Sequence, residues 1–295
     1  MNGCLIFDCD GVLGDTEQHG HLPAFNRMWA ELGVPWQWSV EEYGRKLKIS
    51  GGRERMASLF DEPEFQRVFP VPATEQERRT LLSIWHRRKT EIFQNIVNSG
   101  CIPPRAGIKR LSDEALDRGW RLAVASTSAP GPVAAMLRQA VGWKTAARFS
   151  LVLAGDVVPR KKPAPDIYLD AATRLGVAPG QCVVIEDSNR GLMAATSAGM
   201  KCIITISGYT RHEDFSAADL VLSSLGDPDG ETCRVLAHRS IIPAGAFLGL
   251  DDLALLLSQR TGVQPAGARP PRDQPPPTRV PFHPINCQFN QHALG

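Results

Sequence analysis

Short apolar runs recur along the first three quarters of the chain, and most of them are rich in β-branched residues. Near-continuous apolarity over four to six residues is typical of strands that are buried on both faces of a parallel sheet. The pattern predicts strands at 4–8, 121–126, 149–154, 182–187, 202–207 and 218–224.

Helical periodicity fills the intervals between the later strands. It is clearest in GIKRLSDEALDRG at 107–119, PVAAMLRQAVG at 132–142 and PDIYLDAATRLG at 165–176. Strands that alternate with helices indicate an α/β layered domain. The chain is therefore expected to form a Rossmann-like, doubly wound parallel sheet.

The segment after the first strand breaks this alternation. It contains no strand-like run, but helical patterns cover 22–33, 39–48 and 52–60, and a long amphipathic pattern covers 74–98. We interpret residues 18–98 as an all-helical insert that returns to the same sheet. The Rossmann-like core would then comprise residues 1–17 and 99–250.

The last 35 residues differ from both parts. From Thr261 onward the chain is rich in proline and poor in aliphatic residues. Such a composition buries too little apolar surface to offset the entropy of ordering, so a disordered tail is expected at 261–295. The alternative is a proline-rich ligand for a partner domain.

Composition narrows the classes of function. The 295 residues carry a formal net charge of +2, which gives no reason to expect binding to nucleic acid or to a membrane surface. The sequence contains neither a long apolar run nor a signal-peptide pattern. The seven cysteines are scattered without a C-x-x-C pair, which favours reduced thiols and a cytoplasmic location.

Two carboxylates follow the first predicted strand, in CLIFDCDGVLGDTE at 4–17. Asp8 and Asp10 are two residues apart, so both could reach the carboxyl edge of the sheet, where open α/β sheets bind ligands. Like charges at this distance raise one pKa unless a cation compensates them. A turn built by Asp and Gly is the structural alternative.

A second acidic pair ends another predicted strand. In CVVIEDSNRG, Glu186 and Asp187 should arrive at the same edge of the sheet. Several converging carboxylates suit a hard ion such as Mg²⁺, which prefers oxygen ligands. Either pair alone could be a turn or a helix N-cap, but two pairs at strand ends favour a metal site.

Two further segments could bind an anion. Ser126, Thr127 and Ser128 lie between a predicted strand and a helix, where hydroxyls and free backbone N–H groups form an anion cradle. Helix capping is the alternative and does not exclude this role. Lys161 and Lys162 precede a proline turn, and a lysine there could neutralise a phosphoryl group, although a solvated surface lysine is the simpler reading.

Together these segments resemble the haloacid-dehalogenase-like hydrolase superfamily. DCDGV at 8–12, Ser126, Lys162 and the Glu186–Asp187 pair follow its ordered signature, and the helical insert resembles its C1 cap. The resemblance implies phosphoryl transfer through an aspartyl-phosphate, with Asp8 as nucleophile and Asp10 as acid and base. It also implies Mg²⁺ held by Asp8, the backbone carbonyl of Asp10 and Asp187, with Glu186 at or next to the ion.

Substrate choice is expected to depend on the insert. DTE, SGGRERM, WHRRKTE and KKPAPDIY resemble a subgroup of sugar-phosphate enzymes that includes β-phosphoglucomutases and xylulose-1,5-bisphosphate phosphatases. In that interpretation Arg53 and Lys89 would bind a second phosphate. The remaining candidate substrate-binding residues are Glu17, Gly51, Gly52 and Thr127. A solvated helix face is the alternative for the basic residues of WHRRKTE, and a structural role is the alternative for His19, His21 and His86.

The leading hypothesis is a Mg²⁺-dependent phosphatase acting on a sugar phosphate or bisphosphate. A phosphosugar mutase is the enzymatic alternative, because it would use the same core groups. A non-catalytic binding protein on the same scaffold is the alternative from another class. Such proteins usually lack the nucleophile or a metal ligand, and all of these positions are filled here.

Overall fold

A computed structural model of the chain describes residues 3–49, 51–240 and 245–259. The segment at 261–295, for which the sequence predicts a disordered or partner-binding tail, lies outside the described residues.

Within the described ranges, the chain forms one sheet of seven strands. In chain order the strands β1 to β7 are Cys4–Phe7, Arg121–Ser126, Leu151–Ala154, Cys182–Glu186, Lys201–Thr205, Leu220–Leu222 and Val235–His238. Their order across the sheet is β3-β2-β1-β4-β5-β6-β7. All neighbouring pairs are parallel except β6 and β7.

Strand β1 lies at the point where the direction of winding reverses. The chain runs outward from β1 to β2 and β3, and then returns to add β4 on the other side. Phe7, the last residue of β1, pairs with Val124 of β2 and with Ile185 of β4. This is the switch point at which open α/β sheets form their ligand-binding crevice.

The helices α1 to α11 surround the sheet and follow one another along the described chain. They are Leu22–Glu31, Val40–Lys46, Gly52–Ala57, Pro63–Val68, Glu75–Asn98, Ile108–Asp117, Pro130–Val141, Trp143–Ala146, Asp166–Leu175, Asn189–Ser197 and Leu250–Ser258. Shorter turns are a π-helical turn at Glu17–His21 and 3₁₀ turns at Ser58–Asp61 and Pro179–Gln181.

The central strands are apolar throughout because both faces of the sheet are covered. Along β1, Leu5 and Phe7 face one hydrophobic cluster, while Cys4 and Ile6 face the other. The first cluster includes residues of α6, α7, α11 and the helices between β1 and β2, whereas the second includes residues of α9 and α10. The α/β doubly wound fold predicted from the sequence is therefore confirmed.

The helices between β1 and β2 pack around large aromatic side chains. Trp29 and Trp38 meet edge to face with ring centroids 4.6 Å apart, and Phe25 contacts both rings. Helices α2 and α5 each begin with a capping box, formed by Ser39 with Glu42 and by Thr74 with Glu77. The described residues of insert and sheet lie in one compact unit, and their division into cap and core stays a prediction.

Several elements were not anticipated from the sequence. Helix α4 has only six residues. Helix α11 lies next to the proline-rich region, but its Leu250, Leu253 and Leu256 are buried in the first cluster. Strand β7 has the sequence VLAH and is exposed along its whole length, and an apolar run of so few residues does not by itself indicate a strand.

Cys4, Cys9, Cys182, Cys202 and Cys233 are free thiols. Cys4, Cys182 and Cys202 are fully buried on the sheet, which confirms the expectation that they are small core residues. No helix among the described residues is long and apolar enough to span a membrane.

We expect the Asn26→Ala substitution to destabilise the insert. The Asn26 side chain donates to the carbonyl of Trp38 and accepts from its N–H, both at 2.9 Å, and Trp38 is buried. Loss of both bonds should lower the free energy of unfolding by about 1–3 kcal/mol. Chemical denaturation would measure this, with Asn98→Ala at the exposed end of α5 as the control. Equal stability of the two variants would contradict the assignment.

Candidate active site

Three neighbouring strands bring the predicted core residues to one edge of the sheet. Asp8 follows β1, Ser126 ends β2, and Glu186 ends β4 with Asp187 directly after it. The Asp8 N–H donates to the carbonyl of Ile185 at 3.0 Å, which holds β1 against β4 at this point.

Lys162 lies at the centre of this group. Its Nζ donates to Asp8 Oδ1 at 2.6 Å, to Glu186 Oε1 at 2.7 Å and to the carbonyl of Ala125 at 3.1 Å. The ammonium group also lies 4.8 Å from the centroid of the Tyr168 ring. The solvated lysine that the sequence also allowed is excluded, because Lys162 is buried.

The carboxylates at this edge carry more negative charge than one lysine offsets. Burial raises the pKa of Asp8 to about 7, although the charge of Lys162 acts in the opposite direction. Burial raises the pKa of Asp187 well above its usual range, and the nearby Glu186 and Asp8 raise it further. Gly11 permits this crowding, because a Cβ there would lie 2.1 Å from Asp187 Oδ2.

These residues fit a divalent cation. Ligand oxygens of Asp8, Glu186 and Asp187 all lie within 4.8 Å of one another, and all three residues are buried. Hard oxygen donors at a strand edge match the preference of Mg²⁺, and a positive ion would offset the burial and the repulsion that together raise the two pKa values. The acidic cluster predicted from the sequence is therefore formed.

Glu186 differs from the other two carboxylates, because both of its oxygens accept hydrogen bonds from the protein. Oε1 accepts from Lys162 and from the Tyr168 hydroxyl at 2.9 Å. Oε2 accepts from the backbone N–H of Asp187 and from both the N–H and the hydroxyl of Ser188. Glu186 thus orients Lys162 and the turn that carries Asp187.

Asp10 lies in a separate, more open environment. Its Oδ1 accepts from the Thr16 hydroxyl at 2.5 Å, and its Oδ2 accepts from the Ser128 hydroxyl. The Nε2 atom of His21 lies 3.8 Å from the same Oδ1. Two hydroxyls from different loops therefore hold the Asp10 carboxylate. The hydrogen bonds of Lys162 go instead to Asp8, Glu186 and the carbonyl of Ala125.

The serine-rich segment after β2 contributes in two ways. Ser126 is buried, and its hydroxyl accepts from the Ser128 N–H at 3.1 Å, whereas Thr127 is exposed. Ser128, which belongs to the predicted anion cradle, contributes its hydroxyl to Asp10. Its contact with Asp10 depends on the fold, since 118 residues separate the two.

Where the core meets the insert, Glu17 is held by a polar network. The Tyr43 hydroxyl donates to Glu17 Oε2 at 2.5 Å, and the Arg55 guanidinium donates to Tyr43 at 3.0 Å and lies 3.9 Å from Glu17. Burial raises the pKa of Glu17, while the Arg55 charge acts against this shift. The sequence identified Glu17 but not its two partners.

Lys89 and His21 form a second pair in the insert. Lys89 Nζ lies 2.6 Å from His21 Nδ1, and the His21 ring stacks on Phe93 at 3.8 Å. Burial lowers the pKa of His21 well below its usual range, and burial also lowers the pKa of Lys89 to about 8. A neutral His21 that accepts from Lys89 at Nδ1 carries its proton on Nε2, which faces Asp10.

The glycine-rich segment before α3 lies closer to the surface. Gly51 and Arg53 are exposed and Gly52 is half-buried, whereas Arg55 points inward to the Glu17 network. A Cβ on Gly52 would lie 4.0 Å from the His86 ring, and the charges of Lys89 and Arg53 help to lower the pKa of His86 after burial. Arg53 and Lys89 are thus near one imidazole but differ in exposure.

Arg105 is another residue that the sequence did not single out. Its guanidinium donates to the carbonyls of Gly11, Ile206 and Ser223 at 2.8 to 3.0 Å. It thereby joins the turns that follow β1, β5 and β6. No local pattern marks this role, because the three acceptors are backbone atoms that lie far from Arg105 in the sequence.

Comparison with known proteins agrees with this geometry. Residues 3–199 match the model of the haloacid dehalogenase-like hydrolases. A CBBY-like protein of Arabidopsis thaliana is 45% identical over 231 residues, which cover 78% of this chain and 72% of that protein.

Two solved structures are also similar. A mutant of CbbY from Rhodobacter sphaeroides, in complex with xylulose-1,5-bisphosphate, is 41% identical with a TM-score of 0.65. That match covers 76% of this chain and 95% of CbbY. A putative β-phosphoglucomutase from Thermotoga maritima is 25% identical with a TM-score of 0.54, and the match covers 74% and 89% of the two chains.

The resemblance inferred from the motifs is confirmed by these matches, as is the prediction that the chain is an enzyme. The family match covers residues 3–199 and therefore includes Asp8, Ser126, Lys162 and Asp187. This chain belongs to the haloacid dehalogenase-like hydrolases.

Proposed function

We propose that this chain is a Mg²⁺-dependent phosphatase that hydrolyses a sugar bisphosphate similar to xylulose-1,5-bisphosphate. The observation that carries the proposal is the separation of two aspartates into different environments. Asp8 lies against Lys162 in the buried cluster, whereas Asp10 is held by Thr16 and Ser128. Two carboxylates with different surroundings can perform different steps of one reaction.

In the first step, an oxygen of Asp8 attacks the phosphorus of the substrate, and the bond from phosphorus to the sugar oxygen breaks. Asp10 gives a proton to the leaving oxygen. Lys162 and the Ser126 hydroxyl offset the negative charge that collects on the phosphoryl oxygens. The product is an aspartyl-phosphate on Asp8 and a free sugar hydroxyl.

In the second step, Asp10 accepts a proton from a water molecule, and the oxygen of this water attacks the phosphorus. The bond between phosphorus and Asp8 breaks, and inorganic phosphate is released. Thr16 and Ser128 keep the Asp10 carboxylate at the position from which it serves both steps.

Asp8, Asp187 and the backbone carbonyl of Asp10 would hold the Mg²⁺ ion, with Glu186 at or next to it. A bound ion supplies charge neutralisation for the carboxylates and for the phosphoryl group. The buried acidic cluster and its raised pKa values support this assignment.

The insert supports a substrate with a second anionic group. Lys89 is a buried cation, and Arg53 adds a more exposed one near the same imidazole, His86. Glu17 would accept hydrogen bonds from sugar hydroxyls, and Gly51, Gly52 and Thr127 would contribute backbone or hydroxyl groups. The xylulose-1,5-bisphosphate complex of the Rhodobacter relative supports this substrate class.

A phosphosugar mutase is the second candidate, and the similarity to β-phosphoglucomutases supports it. A mutase would return the phosphoryl group of Asp8 to another hydroxyl of the sugar instead of to water. The higher identity to CbbY proteins favours the phosphatase. A cytoplasmic location stays a prediction that rests on the odd number and scatter of the cysteines.

The first test measures phosphate release from a panel of sugar mono- and bisphosphates, with and without Mg²⁺. We expect release that needs Mg²⁺ and favours a bisphosphate. Asp8→Asn should reduce it on the order of 10³-fold or more while the protein stays folded. Asp229→Asn, at an exposed position, is the matched control. Isomerised sugar with little free phosphate would indicate a mutase, and a folded protein inactive on every substrate would favour a binding protein.

The second test concerns Arg53. Its charge-assisted hydrogen bonds to a second phosphate should make Arg53→Ala less active on bisphosphates by about 2 kcal/mol, or roughly 30-fold in kcat/KM. Activity on monophosphates should change much less. Arg67→Ala, at an exposed position of α4, is the control. An equal loss on both classes of substrate would remove the second-phosphate role from Arg53.

The third test uses the pKa of Lys89, which burial lowers to about 8. Lys89 is charged below this pH and neutral above it, so bisphosphate recognition should weaken as the pH rises through 8. We expect kcat/KM for a bisphosphate to fall by about tenfold per pH unit above this point. In Lys89→Met this pH-dependent fall should be absent. The same fall in both proteins would assign the titration to another group.

A further inference from the structure

Tyr209 lies where the loop after β5 meets helix α2 of the insert. The rings of Tyr209 and Tyr43 pack edge to face, with centroids 5.8 Å apart and an interplanar angle of 78°. The proposed reaction uses neither ring. Their contact joins a loop at the carboxyl edge of the sheet to the helices that would recognise the substrate.

The fit between the two elements is close because position 44 is a glycine. A Cβ built on Gly44 would lie 3.1 Å from Cδ1 and 3.3 Å from Cε1 of Tyr209. Glycine in the interior of α2 is unfavourable for a helix, since alanine is the better helix former. The missing side chain of Gly44 therefore serves the approach of Tyr209 and not the helix.

The loop that carries Tyr209 is firmly attached to the core. Ile206 donates its N–H to the carbonyl of Leu222 at 3.0 Å, and its own carbonyl accepts from Arg105 at 2.8 Å. The Ser207 N–H donates to the Thr210 hydroxyl at 2.9 Å. These bonds hold the base of the loop on both sides of Tyr209, so its ring is a fixed surface on which α2 rests.

On the insert side, the contact continues to Glu17. The residue before Gly44 is Tyr43, whose hydroxyl donates to Glu17 Oε2 at 2.5 Å. Arg55 donates to the same hydroxyl and to the carbonyl of Ile49, which ties this pair to the end of the α2 segment. A shift of α2 against Tyr209 would therefore move the Tyr43 hydroxyl and the Glu17 carboxylate together.

The hydroxyl of Tyr209 does not explain its position. Its oxygen is buried and has no hydrogen-bond partner among the described residues. An unpaired buried hydroxyl is unfavourable, so packing of the ring is what holds Tyr209 here. A phenylalanine would keep this packing.

We propose that Tyr209 is a positioning residue for substrate recognition, whose ring sets helix α2 so that Tyr43 presents Glu17 to a sugar hydroxyl. Gly44 is small in order to admit that ring. This inference rests on the proposed function, because it assumes that Glu17 binds the sugar. It adds a residue of the core to the groups that determine which substrate the insert accepts.

The test compares Tyr209→Phe, Tyr209→Ala and Gly44→Leu on the preferred sugar bisphosphate and on p-nitrophenyl phosphate, which has no sugar hydroxyl. Tyr209→Ala and Gly44→Leu should lower kcat/KM for the sugar bisphosphate by about tenfold to a hundredfold, because the recognition group is misplaced. The loss on p-nitrophenyl phosphate should be several times smaller. Tyr209→Phe should match the wild type on both substrates.

A double variant separates this role from simple space filling. Leucine at position 44 conflicts with the Tyr209 ring, so Gly44→Leu should cost little further activity when Tyr209 is already alanine. Gly44→Ala is the milder variant if Gly44→Leu does not fold, and Gly180→Ala, with open space around its Cβ, is the matched glycine control. Thermal unfolding shows which variants are folded.

Three outcomes would overturn the inference. These are an equal loss on both substrates, additive effects of the two positions, and a loss in Tyr209→Phe as large as in Tyr209→Ala. The last would assign the role to the hydroxyl instead of the ring. Failure of the proposed function is distinguishable, because the wild-type enzyme would then release no phosphate from any sugar phosphate.

Discussion

Carboxylates that meet at the end of a sheet buried on both faces repel one another, and this repulsion constrains the whole site. Lys162 bonds Asp8 and Glu186 at once, and Glu186 accepts further bonds from Tyr168 and the Ser188 turn. Burial raises the pKa of Asp8 and Asp187, and the remaining negative charge raises it further, which makes the site suited to a divalent ion. The surrounding loops are organised to keep these groups together.

The two aspartates of the opening motif differ because the fold places them differently. Asp8 continues the direction of β1 and faces Lys162, while Asp10 lies beyond the strand and meets hydroxyls from the turn after it and from the loop after β2. In the proposed reaction, Lys162 favours the ionised form of Asp8 as the nucleophile, whereas Asp10 exchanges protons with the leaving group and with water. Asp8 and Asp10, although only two residues apart, thus lie in two different chemical environments.

The sequence was informative wherever the relevant contact is local or repeats along the chain. Apolar strands buried on both faces, and the 3.6-residue periodicity of the helices, predicted the α/β architecture and the helical insert. The sequence does not reveal β7 and α4, because elements of four and six residues are too short to show a periodic pattern. Helix α11 is not among the predicted elements although its leucines are periodic, because it lies between the predicted core, which ends at residue 250, and the proline-rich region.

The same distinction holds for the active site. The sequence by itself determined the chemical groups: the residue types of Asp8, Asp10, Ser126, Lys162 and the acidic pair, and their places at the ends of strands. Only the tertiary structure decided which residues these groups and those of the insert contact. Examples are Ser128 for Asp10, Arg55 for Glu17 and Tyr209 for Gly44. These contacts join segments up to 165 residues apart. No local pattern encodes them, because these residues are distant in the sequence and come into contact only when the chain has packed.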